Sequence, residues 1–251
     1  VISAAGIVGA ALLVWEAVVR LKHTPVYILP PPSTVAGKLW QNAGYLLDAA
    51  WVTFGEALGG LLLGLTVGIA VAALITFWTN LERGVLALSI LVKATPMVAI
   101  APLLMIWFGF GPLPKVIITA LLTFFPVLIN VHSGLHAVDD AALALFHSLH
   151  AGRWEVFYHI RWPSALPYLF AALKVVAPLA VTGAVVAEWA GASAGLGRAM
   201  WLAYTNLNLP MLFAAIFCSA LMSVGLYAGV VMLEKRVVFW RWNGESSLSA
   251  D

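Results

Sequence analysis

The stretch from Ala49 to Phe77 contains a single charged residue, Glu56. A run of this length exceeds the roughly 20 apolar residues needed to cross the hydrocarbon core of a bilayer. Inside lipid every backbone polar group must find its partner within the protein, so a spanning segment of this kind is helical. Five further runs have the same character: Val1 to Val19, Val85 to Trp107, Leu113 to Val131, Leu166 to Trp189 and Leu209 to Leu233. The pattern predicts an all-α integral membrane protein of about six transmembrane helices, forming one domain over residues 1–251.

Composition agrees, with 63% hydrophobic residues, 10% charged residues and a mean hydropathy of +0.98. These values lie far from the soluble balance of about half apolar to a quarter charged. Thirteen Lys and Arg against eleven Asp and Glu are scattered without a basic cluster, so no nucleic-acid partner is expected. Cys218 stands alone, which excludes an internal disulfide, and it reads as a small core residue. The first apolar run lacks a basic leader and a cleavage site, and it reads as a trimmed first helix rather than a signal peptide.

Between the first two spans, Leu29-Pro30-Pro31-Pro32-Ser33 forbids a continuous helix, and Ser33 or Thr34 can cap a short interfacial helix reaching to about Asp48. In the second span Gly60, Gly64 and Gly68 recur every four residues, so they share a face that a neighbouring backbone can approach. Gly109-Phe110-Gly111-Pro112 closes the third span. The small residues from Ala190 to Gly197 follow the fifth, in a stretch too flexible to cross the bilayer.

The one long hydrophilic segment runs from His132 to Pro163 and holds five of the six histidines. Apolar and small residues recur at helical spacing between Ala141 and Leu149, and Trp154, Phe157 and Ile160 continue at three-residue steps. Two short amphipathic helices are therefore expected, with Gly152 at the bend. His132 and His136 would share a helical face; with no third ligand evident they read as solvated interface residues.

Arg153-Trp154-Glu155-Val156-Phe157, Ile160-Arg161-Trp162-Pro163 and Leu166-Pro167-Tyr168 resemble the coupling loop of binding-protein-dependent ABC importer permeases. Leu29 to Ser33, Thr95-Pro96 through Ala101-Pro102-Leu103 to Trp107-Phe108-Gly109, and Ala187-Glu188-Trp189 with Gly195-Leu196-Gly197 are similar to the nitrate, sulfonate and taurine branch of that family, which includes riboflavin and pyrimidine-precursor permeases. The resemblance implies that residues 139–163 form a cytoplasmic coupling segment between helices four and five. Its ATPase-contacting residues would be His150, Ala151, Gly152, Arg153, Trp154, Phe157, Ile160 and Pro163. The match is incomplete: Trp162 replaces a leucine, Ala144-Leu145-Phe146 replaces Glu-Ala-Ala, and the family's glycine falls on His150, leaving the neighbouring Gly152 to supply the bend.

The same resemblance implies a multi-pass permease of the bacterial inner membrane that imports a small solute by alternating access. The solute would be a nitrate-, sulfonate- or taurine-like anion, or a small heterocycle. The implied partners are a second copy of the chain, two cytoplasmic ABC ATPase subunits, a periplasmic or lipid-anchored binding protein, and membrane lipid. ATP and Mg would belong to the ATPase: this chain carries no phosphate-binding loop ending in Gly-Lys-Ser or Gly-Lys-Thr, needs no cofactor and is not an enzyme. A cytoplasmic coupling segment puts both termini inside. The charge asymmetry then supports it weakly, with Arg83, Arg153, Arg161, Lys235, Arg236 and Arg241 inside against Arg20, Lys22, Lys38, Lys115 and Arg198 outside.

Ionisable residues within spans are costly enough to mark function. Lys93 and Lys174 could snorkel, pair with Glu56, or face the translocation path and attract an anion. Glu188, at the outer end of helix five, reads as an organiser of the external gate. Thr95, Trp107, Asn130 and Thr182 are further candidates for the path. A gradient-driven carrier or channel without an ATPase is the alternative, and Glu56 is its one serious relay acid.

Overall fold

The structure is a computed structural model that describes residues 4–239. The first residues of helix one and the polar tail with Arg241 lie outside the described residues. The regular structure of the described residues is all helical: α1 (Ala4–Leu21), α2 (Pro32–Gln41), α3 (Ala43–Phe77), α4 (Thr79–Ala94), α5 (Met97–Phe108), α6 (Pro112–His136), α7 (Asp140–Ser148), α8 (Arg153–Val156), a π-helical turn (Phe157–Arg161), α9 (Trp162–Trp189), α10 (Leu196–Thr205) and α11 (Leu209–Val237).

Four helices are long and apolar enough to span a membrane: α3, α6, Arg153–Trp189 and α11. A fifth span appears if the bent pair α4 and α5 counts as one. The sequence predicts about six. The sixth expected span is α1, whose first residues lie outside the described ones.

The centre of the bundle is α3, α6 and α9, and the glycine face sets their closeness. Gly60, Gly64 and Gly68 of α3 are buried against Thr119, Thr123 and Val127 of α6. A methyl group on Gly64 would collide with the Thr123 hydroxyl and the Ala120 carbonyl, so the two backbones meet with no side chain between them. The main core then fills from Ile75, Val131, Leu135, Val176 and Val181, each almost wholly enclosed.

Two expectations change. The third span is not one helix, because α4 and α5 meet at 91°. Pro96 cannot donate to a helix continuing from α4, and Thr95 ahead of it is extended at φ −73°, ψ 129°. The interfacial helix α2 ends at Gln41, and neither Ser33 nor Thr34 caps it. Pro31 precedes it and Pro32 opens it. Ser33 instead bonds Glu16 of α1 through its N–H at 3.0 Å and its hydroxyl at 2.8 Å, tying the linker to the first helix.

Candidate functional site

The hydrophilic hairpin begins where Asp139 Oδ1 accepts from the Ala141 N–H at 3.2 Å and caps α7. The chain reverses at His150, which is left-handed at φ 58°, whereas Gly152 is ordinary at φ −69°. The bend expected at Gly152 is thus made by His150 itself. Gly152 starts the next helix instead, its N–H donating to Glu155 Oε2 at 2.7 Å. The second short helix is not separate either: α8 passes through the π-helical turn into α9, giving one helix from Arg153 to Trp189.

Aromatic side chains fix the hairpin to the bundle. Phe157, 8% exposed, lies 5.0 Å from the Phe77 ring at the end of α3 and 6.4 Å from Trp162. Trp154 meets Phe77 at 4.5 Å and still remains 62% exposed. Leu145, Leu149 and Tyr158 are also exposed. A cavity of about 360 Å³ lies behind the hairpin, lined by Phe77, Leu143, His147, Arg153 and Arg161 among others. Ala151 and Ile160 are half-buried, as is Pro163 in the first turn of α9.

Charge is concentrated at the opposite end of α9. Glu188 is 1% exposed; its Oε1 accepts from the Thr53 hydroxyl at 2.6 Å and its Oε2 from the Gly197 N–H. Thr53 in turn accepts from the Leu196 N–H at 2.8 Å. One threonine and one glutamate thereby fasten the start of α10 to α3 and α9. Glu56 and Lys115 are buried beside Glu188. Lys115 Nζ donates to the Phe110 and Gly111 carbonyls at 2.5 and 2.7 Å, closing the turn between α5 and α6.

Glu56 therefore pairs with neither lysine offered to it by the sequence. Lys174 lies 3.0 Å from both oxygens of Glu234 on α11. Lys93 is exposed and sits 4.7 Å from the Phe125 ring centre, a cation–π contact. Thr95, Asn130 and Thr182 turn their polar groups to carbonyls one turn back, of Leu91, Pro126 and Pro178, and Trp107 is 68% exposed. Of the path candidates, only Glu188 joins the buried cluster. His132 bonds Glu82 at 3.1 Å, and His136 bonds the His132 carbonyl at 2.9 Å.

A family model for the binding-protein-dependent transport system inner membrane component matches residues 60–239. The chain belongs to that family. It is an ABC transporter permease, a transport subunit and a multi-pass membrane protein. The riboflavin transport system permease protein RibX of Chloroflexus aurantiacus is 34% identical over 91% of this chain and 86% of its own length. The formylaminopyrimidine transport permease protein ThiX of Halalkalibacterium halodurans is 33% identical over 92% of each. A crystal structure of an amino acid ABC transporter superposes with a TM-score of 0.64 over 79% of this permease and 97% of that chain. At 15% identity that likeness speaks for the fold alone.

Lys115 and Thr53 are the functional candidates that sequence reasoning passed over. Lys115 falls near the start of the fourth apolar run, where the sequence counts it only among the outer charges, and the structure buries it.

Proposed function

We propose that two copies of this permease enclose a central path in the bacterial inner membrane and import a small solute by alternating access. The hairpin, residues 139–163, docks on a cytoplasmic ABC ATPase. His150, Ala151, Gly152, Arg153 and Trp154 present the contact, while Phe157, Ile160 and Pro163 hold it to the bundle. ATP and Mg belong to that ATPase, and a binding protein delivers solute to the outer face. The observation that carries this reading is the unbroken helix Arg153–Trp189, which joins the exposed hairpin to the buried Glu188 cluster. At 1.5 Å per residue it is roughly 55 Å long, enough to transmit a push from one membrane face to the other.

The two relatives above are named for riboflavin and formylaminopyrimidine transport. Their identity over nearly the whole chain favours a small heterocycle over an anion. Lys93, exposed and held over an aromatic ring, is then a surface residue of the path rather than an anion trap, and Lys93→Met leaves uptake of a heterocycle unchanged.

The test is ATP-driven uptake in vesicles holding the permease with its ATPase and binding protein. Trp154→Ala with Leu149→Asp lowers both ATPase co-purification and uptake by roughly tenfold, as expected for removing an interface anchor. Uptake that persists without ATP and is driven by an ion gradient would point to the carrier instead.

A further inference from the structure

We infer that Glu56 is a neutral, hydrogen-donating residue that positions Glu188, and through Glu188 holds the turn between α9 and α10 closed at the end of the bundle remote from the hairpin. Glu56 and Glu188 are 5% and 1% exposed, and their side chains are in hydrogen-bond contact. Ionised carboxylates only accept hydrogen bonds, so this contact requires one of the two to carry a hydrogen.

The surrounding donors decide which. Glu188 receives the Thr53 hydroxyl on one oxygen and the Gly197 N–H on the other, with the Arg198 N–H also directed at it. Thr53 accepts from the Leu196 N–H, and of the two acceptors its hydroxyl can reach, Glu188 at 2.6 Å is nearer than the Ala49 carbonyl at 3.1 Å. This is the environment of an ionised acceptor. Glu56 has the opposite surroundings: its Oε2 is buried with no partner at all. A charge placed there would be desolvated and would lie beside a second charge of the same sign, whereas a neutral acid incurs neither cost.

The charge balance agrees that the two acids share a single hydrogen, and the donors around Glu188 place it on Glu56. The ionisable groups acting on Glu56 are Glu188 from α9 and Lys115 from α6. With Glu56 neutral, the ionised Glu188 and the ammonium of Lys115 cancel, and the buried cluster carries no net charge.

The assignment of the hydrogen is independent of the importer reading, and the gate role rests on it; two measurements separate them. Infrared spectroscopy of the purified transporter in lipid nanodiscs should show the carbonyl stretch of a buried, protonated carboxylic acid in the wild type and lose it in Glu56→Gln. A wild type lacking that band, or a band that survives in Glu56→Gln, would overturn the assignment. In ATP-driven uptake, Glu56→Gln, which still donates to Glu188, should stay close to wild type. Glu56→Leu, which cannot donate, should fall by roughly tenfold, the worth of one hydrogen bond to a charged group. Equal uptake by the Leu and Gln variants would overturn the positioning role. Size-exclusion profiles matching the wild type show that neither variant has merely failed to fold. If the wild type itself shows no ATP-driven uptake, the importer reading fails and the infrared result still judges the hydrogen.

Discussion

His150 shows how one side chain can sit where the backbone favours another. Its φ of 58° lies in the region that L-residues enter at a cost, and only its role as the pivot between α7 and α8 keeps it there. His150→Gly should stabilise the hairpin by roughly 0.5 to 1 kcal/mol, the relief being set against glycine's greater freedom when unfolded. His150→Val should loosen it, and limited proteolysis between α7 and α8 reads both. Gly152→Ala should change little, because its backbone is ordinary and only Glu155 Oε2 approaches, at 3.8 Å. The sequence places glycine beside the bend and so points to the wrong residue. It does better at Gly60, Gly64 and Gly68, where four-residue spacing alone identifies the face that α6 covers. Gly64→Val should abolish folded permease, seen as loss of the monodisperse peak in detergent.

Between elements, what the sequence reveals depends on whether the cause is local. The long apolar runs locate α3, α6, α9 and α11, with ends that fall up to six residues short of the helices, because burial in lipid leaves little choice. The break at Pro96 is visible as a proline, but its 91° angle depends on what α5 packs against, which no local pattern records. Helix α10 is missed because small residues before it suggest a loop and its ten residues are too few to span. The partner of Lys174 is missed for a similar reason, since Glu234 lies sixty residues away in sequence. Lys174→Met should destabilise the permease by roughly 1 to 3 kcal/mol, less than the 3 to 5 for a fully buried pair because the Lys174 side chain is 31% exposed. Lys174→Met combined with Glu234→Gln should recover most of that loss, read as the thermal unfolding midpoint in detergent.

Across the whole molecule the hairpin and the carboxylate cluster occupy opposite ends of one helix, and the proposed mechanism requires that helix to be stiff. Replacing His159, whose ring bonds the Glu155 carbonyl at 3.0 Å, with glycine should soften the π-helical turn while leaving the stack of Trp154 on Tyr158 in place. ATPase co-purification should then survive while ATP-driven uptake falls severalfold. Both ends were legible as separate segments, but their connection was not, because the hydrophilic run conceals the point at which α8 becomes α9.

Glu188 fits its turn so closely that neither Gly195 nor Gly197 could carry even a methyl group without striking the carboxylate. A joint this tight tolerates no gradual give: the loop is either seated on the acid or clear of it. Opening at that face should accordingly behave as a snap between two settings, and a reporter dye on the exposed Trp201 side of α10 should show two brightness levels with nothing stable between them.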